Sequence, residues 1–395
     1  MHPINEIRGS RSDRLEGKKI VLGITGSIAA VECVKLAREF IRHGADVLPV
    51  MTPAACRIIH PDAMWFATGN RPVTELTGDV EHVSNAGEVK GRADLLLIAP
   101  ATANTIAKVA LAIDDTPVTT FATTAIGSGM PVMIVPAMHG SMYKHPQVLR
   151  NVEACKEIGI SFVSPKVEES KAKMADTDRI VAHVMRELGE KDLACKKVLV
   201  IGGATAEPID DVRVLTNTSS GRTATALSQA AFMRGAEVEL WIGAASVSPS
   251  PWIRSRRFSS IADLIELVPG CSVFDTIIVC AAISDFTIER KAGKLPSDEI
   301  PEIRLCRAPK ILEMLRRENA SATIVGFKLE PTLDEAVGKA KARMAKGAAD
   351  MMIANAVSSI GSSDVSVALV TADGDVTEFC GSREKLAEFI LDAVI

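Results

Sequence analysis

The stretch KKIVLGITGSIAAVECVKLAREFIRHG, Lys18 to Gly44, decides the fold. KKIVLGI opens it as a short apolar run of the kind buried on both faces of a parallel sheet. TGSIAA then turns the chain, and the residues after it return apolar side chains at helical spacing until Gly44, a helix stop signal. Strand, turn and helix in that order are half of a βαβ unit. The pattern continues: DVLPVM predicts a second strand, Thr52-Pro53 an N-cap and first helical residue, and LLLIAP and PVMIVPAM two more buried strands. A doubly wound parallel sheet is the economical reading.

Around Ala182 to Lys197 an amphipathic helix runs into GEKDLACKK, after which VLVIGG begins a second strand-first series. The 395 residues exceed the ~100–200 usual for one domain, so two α/β, Rossmann-like domains are expected, over 18–190 and 191–395. In the second, VLVIGG leads into a Thr-, Ser- and Gly-rich connection to about Ser220, then a helix ending at Arg234-Gly235 and the strand VELWIG. TIIVCAA, TIVGFKL, a helix from about Leu333 to Lys346, DMMIAN, VSVALV and a C-terminal helix follow, with an antiparallel edge expected near 365–378. Residues 1–17 carry Arg8, Arg11 and Arg14 but no apolar core, which predicts a mobile tail rather than a secretory signal.

A net charge of -4 gives no global basic footprint for nucleic acid, and no uncharged apolar run approaches the ~18–20 residues of a membrane span. The 8 cysteines contain no CxxC pair and the histidines no ligand spacing, which argues against a disulfide scaffold or structural zinc. A cytoplasmic protein is expected, and small anionic substrates remain open.

Ligands of open α/β sheets sit beyond the carboxyl ends of the strands. Gly26 and Ser27 lie there, before a helix whose free N–H groups suit a phosphate. Alone, this turn reads equally well as an ordinary strand-to-helix connection; neither the full dinucleotide fingerprint nor a P-loop occurs. The ordered set LGITGSIAA, EHV at His82, APATANTIAK and PAMHGSMY, however, resembles the homo-oligomeric flavin-containing cysteine decarboxylases over about Lys18 to Arg186. The resemblance implies FMN held by Gly26, Ser27, Ile28, Thr52, Thr102, Asn104 and Met138, with His82 as acid/base. In that family the substrate thiol is oxidised by the flavin to a thioaldehyde, carbon dioxide leaves, and the electrons are then returned. Histidine suits such proton traffic because it titrates near neutrality; the plainer reading of His82 is an exposed residue on a loop from Thr77 to Gly91. His139 stands where bacterial members have the asparagine that holds the substrate carboxylate, to which it can also donate. Those members carry a flap cysteine as proton donor; PKVEESKAKMAD has none, leaving Lys171 and Lys173, which read equally as solvated charges. PAMH with this short lysine-bearing flap resembles the archaeal form.

Farther on, GGATAEPIDDVRVLTNTSSGR (Gly202 to Arg222), AAISDF, GKLPS, APKIL and GFKLE together resemble phosphopantothenate:cysteine ligase over most of 196–395. The fusion resembles the bifunctional decarboxylase and ligase family of coenzyme A synthesis. It implies that Asn217 binds the carboxylate and acyl intermediate, and that Ser219, Ser220 and Gly221 offer phosphate donors at a helix start, where plain capping is the alternative. Asp285 is then a nucleotide contact, and Lys294 stabilises charge on the α-phosphate, with Lys291 its nearest rival. Pro309, Lys310, Ile311, Phe327 and Lys328 complete the pocket, Phe327 reading equally as core. Ala206, Arg222 and Ala224 stand where arginine, lysine and glycine are common in that family.

The implied substrates are 4'-phosphopantothenate, L-cysteine and CTP with Mg2+, no residue excluding ATP, and the implied product is 4'-phosphopantetheine. Decarboxylase trimers and ligase dimers are the implied assembly. A non-catalytic flavin-binding regulatory subunit is the alternative, disfavoured by the joint presence of His82, Asn217 and Lys294. A two-domain nicotinamide oxidoreductase is disfavoured by the missing fingerprint.

Overall fold

The computed structural model describes residues 2–168, 171–296, 302–359 and 364–395. The chain divides into two compact units, Met1–Gly189 and Glu190–Ile395. In the first, β1 (Lys19–Ile24), β2 (Asp46–Met51), β3 (Leu95–Ala101), β4 (Val132–Pro136), β5 (Met138–His139), β6 (Ser161–Phe162), β7 (Lys166–Glu168) and β8 (Lys171–Lys173) follow in order. The main sheet runs β2-β1-β3-β4-β6, parallel throughout. Every residue of β3 is buried, because helices cover both faces. Ile106, Val118 and Phe121 pack on one face, and the helix Cys33–Arg42 buries Leu36, Ala37 and Phe40. Strand order reverses between β1 and β3, which makes their carboxyl ends a natural ligand crevice. A small antiparallel sheet, β5-β8-β7, sets His139 opposite Lys171 beside that edge.

The expected free tail is corrected. Residues 4–7 form a helical turn, Ile4 is buried and Leu15 is wholly buried. Arg8 donates to the carbonyl oxygen of Ala45 at 2.7 Å, Ser12 Oγ lies 2.7 Å from His43 Nδ1, and Arg11 pairs with Glu39. These partners all lie at the far end of the helix Cys33–Arg42 or just after it, so no local period in the tail announces them.

The second unit contains β9 (Lys197–Gly202), β10 (Ala206–Pro208), β11 (Val214–Thr216), β12 (Glu237–Ile242), β13 (Arg254–Arg257), β14 (Thr276–Val279), β15 (Phe286–Ile288), β16 (Leu305–Arg307), β17 (Thr323–Glu330), β18 (Met351–Ala356), β19 (Asp364–Thr371) and β20 (Val376–Ser382). Its main sheet has the order β13-β12-β9-β14-β17-β18-β19-β20. Pairing is parallel as far as β18, and β19 and β20 form the antiparallel edge that the sequence suggests. One face buries Trp241, Leu312 and Leu315, the other Leu227, Ile390 and Leu391. The connection expected to be irregular as far as Ser220 instead contains an antiparallel ribbon, β10 with β11, and a second ribbon pairs β15 with β16. At the β13 edge, Arg254 and Arg256 reach the buried carboxylate of Glu239 at 3.2 and 2.7 Å, and Trp241 Nε1 donates to it at 2.8 Å. Arg234, nearly buried, ties the start of the unit to its last helix through Asp192 and Asp392.

Removing the Leu15 side chain tests the packed tail. Leu15→Ala should lower the stability of the first unit by about 2–4 kcal/mol through lost burial and the cavity left behind. Calorimetry of the full chain should show that unit's transition moving to lower temperature; an unmoved transition would restore the free tail.

Candidate functional site

Four parallel strands of the first unit deliver their carboxyl ends to one edge. After β1, Thr25 Oγ1 donates to the carbonyl of Pro100 at 2.6 Å and accepts from the N–H of Thr102 at 3.1 Å, locking the ends of β1 and β3 together. Gly26 follows, where a Cβ would stand 2.5 Å from the Cβ of Ala54, so only glycine lets the two turns approach. Ser27 heads the 3-10 turn Ile28–Glu32 without making a side-chain capping bond. Thr52 and Thr102 cap the helices Pro53–Cys56 and Ala103–Ala110 that follow β2 and β3, their Oγ1 atoms accepting from Ala55 N–H and Thr105 N–H at 3.2 Å each. A threonine that accepts at a cap still has a hydroxyl proton to donate. Asn104 and Ile28 are exposed beside them.

A cleft of about 780 Å3 lies at this edge, lined among others by Ser27, Ile28, Met138, His139 and Lys173. His139 caps a short turn: Ser141 N–H donates to its Nδ1 at 3.3 Å, and Ser141 Oγ lies 2.7 Å from the same nitrogen. Because the backbone N–H can only donate, Nδ1 is the acceptor and the ring proton sits on Nε2. Lys173 is exposed at the cleft, whereas the side chain of Lys171 lies outside the described residues. His82 is placed on a short helix, Glu81–Ala86, rather than on a loop, and it does not line the cleft of its own unit. Its Nδ1 is buried without a hydrogen-bond partner.

In the second unit the corresponding edge is formed after β9, β12 and β14. Gly203, at a φ of +76°, brings the chain against Gly243, and a Cβ there would meet that residue's backbone at 2.8 Å. Asn217 Nδ2 donates to the carbonyl of Ala282 at 3.2 Å, which brings it to the segment carrying Asp285. The helix Arg222–Met233 starts at Gly221, in the left-handed region, with no side-chain cap. Its first N–H, on Arg222, donates to Ser220 Oγ at 3.4 Å, and half-buried Ser219 and Ser220 stand beside this helix start, where free N–H groups suit an anion. Lys310 Nζ lies 2.6 Å from Asp285 Oδ1 and holds that carboxyl below its usual range. Lys328 and Lys339 do the same for Glu330, at 2.8 and 2.6 Å. Pro309 is exposed before the helix Ile311–Glu318, but Ile311 is only 3% exposed as a whole residue and packs within the core, so the structure offers it no contact with a ligand. Phe327 is half-buried against the core, and Lys294 is exposed on the loop after β15.

Two groups here escaped the sequence reading. Asp210 is 2% exposed. Burial pushes its carboxyl up, but the N–H groups of Leu295, Val212 and Arg213 and the Arg213 guanidinium outweigh that and hold it well below the usual range. Arg213 also donates to the carbonyl of Leu295 at 3.3 Å. The signal was available: IDDVR places adjacent carboxylates and a guanidinium in one turn just before LTNTSSG.

Residues 8–189 match the family model described as Flavoprotein, and residues 193–395 the DNA/pantothenate metabolism flavoprotein C-terminal domain. The coenzyme A biosynthesis bifunctional protein CoaBC of Thermococcus kodakarensis is 44% identical over 400 residues, covering 100% of this chain and 99% of the relative. The protein of that name from Methanocaldococcus jannaschii is 39% identical over 401 residues, covering 100% and 97%. A solved FMN-dependent cysteine decarboxylase, SpaF, is 29% identical and matches 42% of this chain and 94% of its own, with a TM-score of 0.37.

A second cavity of the first unit, about 450 Å3, is lined in part by Tyr143, Lys156, Ser164, His183 and Arg186. Burial, reinforced by Arg179 and Arg186, pushes the His183 imidazole down from 6.5 to about 4. The ring is therefore neutral in the fold at neutral pH. Below 6.5 the unfolded chain takes up a proton that the folded chain refuses until about pH 4, so stability falls across that window. Burial pushes His43 down as well, adding to the same slope. Chemical unfolding of the first unit at stepped pH should lose on the order of 2–3 kcal/mol to His183 between pH 6.5 and 4. His183→Asn should flatten that part of the slope; an unchanged slope would assign it to other groups.

Proposed function

Since this chain belongs to the family of coenzyme A biosynthesis bifunctional proteins, joining a flavoprotein decarboxylase unit to a cysteine ligase unit, we propose that it makes 4'-phosphopantetheine from 4'-phosphopantothenate and L-cysteine, with CTP as the activating nucleotide. The observation that carries the reading is the end-to-end likeness to the Thermococcus protein, which covers both units and not one alone.

In the ligase unit a carboxylate oxygen of 4'-phosphopantothenate attacks the α-phosphorus of CTP, and pyrophosphate leaves. The cysteine amine then attacks the acyl carbon, and CMP leaves with the bonding pair. Lys310 and Lys328 are already engaged by Asp285 and Glu330, so exposed Lys294 is assigned to the charge that grows on the α-phosphate. Asn217 is assigned to the carboxylate and the acyl-nucleotide, and the helix start at Gly221 to a phosphate. Among the described residues no group of three or more His, Cys, Asp or Glu side chains is placed to hold a metal; Mg2+ is assigned to the triphosphate and arrives with it.

The first unit fits a phosphate-bearing flavin: Ser27 makes no capping bond, Gly26 opens the turn, and Thr52 keeps a hydroxyl proton for a ligand, while the Thr102 hydroxyl is shared with Thr105 Oγ1 at 3.1 Å. Bound FMN supplies the reversible two-electron oxidation of the substrate thiol that lets carbon dioxide depart. The chain's own part is to bind and to move protons. His139 Nε2–H donates to the substrate carboxylate, His82 is assigned the acid/base role, and Lys173 is the described candidate for the last protonation. A cytoplasmic homo-oligomer with decarboxylase trimers and ligase dimers fits His82 standing off the cleft of its own unit. Among the described residues no helix is long and apolar enough to cross a membrane.

A coupled assay with 4'-phosphopantothenate, cysteine, Mg2+ and either CTP or ATP, following pyrophosphate and carbon dioxide separately, tests the two sites. His82→Asn should abolish carbon dioxide, by roughly 10²–10⁴-fold, and spare pyrophosphate. Lys294→Gln should slow pyrophosphate release by roughly 10²–10³-fold. Turnover with ATP only would refute the choice of CTP, and the absence of both products would favour the non-catalytic flavin-binding reading.

A further inference from the structure

The loop that carries Lys294 has little packing of its own. Residues 289–294 are exposed, Leu295 is half-buried, and Gly293, at a φ of +78°, has open space where a Cβ would be. What fixes the loop is a set of bonds to the turn 209–213. Asp210 Oδ2 accepts from Leu295 N–H at 3.0 Å, and Asp211 Oδ2 from Gly293 N–H at 3.1 Å. Asp211 Oδ1 accepts from the Arg290 guanidinium at 2.7 Å. Backbone bonds from Lys291 N–H to the Ile209 carbonyl and from Asp211 N–H to the Gly293 carbonyl, at 3.0 and 3.2 Å, and the bond from the Arg213 guanidinium to the Leu295 carbonyl, at 3.3 Å, complete the set. The residues on either side of Lys294 are thus each held by a carboxylate, one of them buried.

We propose that Asp210 and Asp211 are positioning residues of the ligase, which clamp the loop 290–295 and so fix where the Lys294 ammonium stands relative to Asn217. The claim rests on the assignment of Lys294 to the α-phosphate. The turn bearing the two carboxylates runs directly into β11, and Asn217 follows that strand. Asn217 is itself held to Ala282. The two groups that must meet the same acyl-nucleotide are therefore joined through one hydrogen-bonded turn. Misplacing a charged group by about 1 Å costs on the order of 10²-fold in rate, so two carboxylates distant from the substrate can control the step without touching it.

Asparagine keeps the backbone bonds of the turn and breaks the clamp, giving up the Arg213 guanidinium pair on Oδ2 along with it. Asp210 Oδ1 accepts from the N–H groups of Val212 and Arg213 at 2.7 and 2.6 Å, which an asparagine oxygen can keep doing. The amide NH2 that replaces Oδ2 would face the Leu295 N–H as donor against donor. Asp211→Asn likewise gives up one of its two carboxylate bonds, and at an exposed position, so the single variant keeps the test available should the double variant fold poorly.

In the full-length protein, deuterium exchange should accelerate roughly tenfold or more in peptides spanning 290–296 of Asp210→Asn/Asp211→Asn, with the remaining amides unchanged. Pyrophosphate release at saturating CTP should fall roughly 10- to 100-fold, with little change in KM. Adding Lys294→Gln to the double variant should cost no more than Lys294→Gln alone, because the carboxylates act through that lysine. Unchanged exchange over 290–296 would overturn the clamp. Rate losses that multiply in the triple variant would overturn action through Lys294. Full pyrophosphate release by Lys294→Gln would remove the assignment of Lys294 and with it the positioning role, while faster exchange would still show the clamp.

Discussion

A Cβ on Gly202 would lie 2.1 Å from that of Ala224, and one on Gly26 would lie 2.5 Å from that of Ala54. Both distances are far inside van der Waals contact, so each first strand reaches its carboxyl edge only with hydrogen in place of a side chain. Everything that follows at those edges depends on this approach. It sets Ser27 at the head of its helix with Thr52 and Thr102 nearby, and it sets the start of the helix Arg222–Met233 against the end of β9. The bare backbone then presents N–H groups where a side chain would otherwise stand, which is what a phosphate needs.

The two sheets were legible because buried parallel strands are nearly continuous apolar runs: LLLIAP and VLVIGG each read as one strand without help from their neighbours. The ribbons were not. Val214–Thr216 is exposed at all three residues and Ala206–Pro208 is shorter than any periodicity can register, so both depend on pairing across a turn. The packed tail was missed for a related reason, since buried Leu15 is tied through its N–H to the carbonyl of His43, distant in sequence. The site was legible wherever residues cluster in one turn, as in TGSIAA and LTNTSSG. It was illegible where a side chain works at long range, as Asp210 does on Leu295, or where a residue's surroundings bury it, as with Ile311 in the core.

Lys310, Lys328 and Lys339 do not stand as bare positive charge. Lys310 is shared with Asp285, and Lys328 and Lys339 are shared with Glu330, all at the margin of solvent. Such pairs contribute little to stability at exposed positions, but they hold long flexible side chains in place and temper the local potential. A polyphosphate that enters must draw the ammonium groups away from carboxylates already in contact, which favours a ligand able to satisfy several of them together over a single stray anion.

The arginines of β13 have a bearing on the protein outside any reaction. An open sheet edge is a template on which a strand of another molecule can add, and chains that expose one without protection assemble into fibres. Here the outermost strand is RSRR, and two of its guanidiniums are tethered to a buried glutamate one strand inward. The edge keeps its unpaired amides but surrounds them with fixed, like charge, so an identical edge approaching from a second molecule meets repulsion before it can form a hydrogen bond. The sheet thereby ends at β13, and a crowded solution of the enzyme gains a barrier to polymerising along that side.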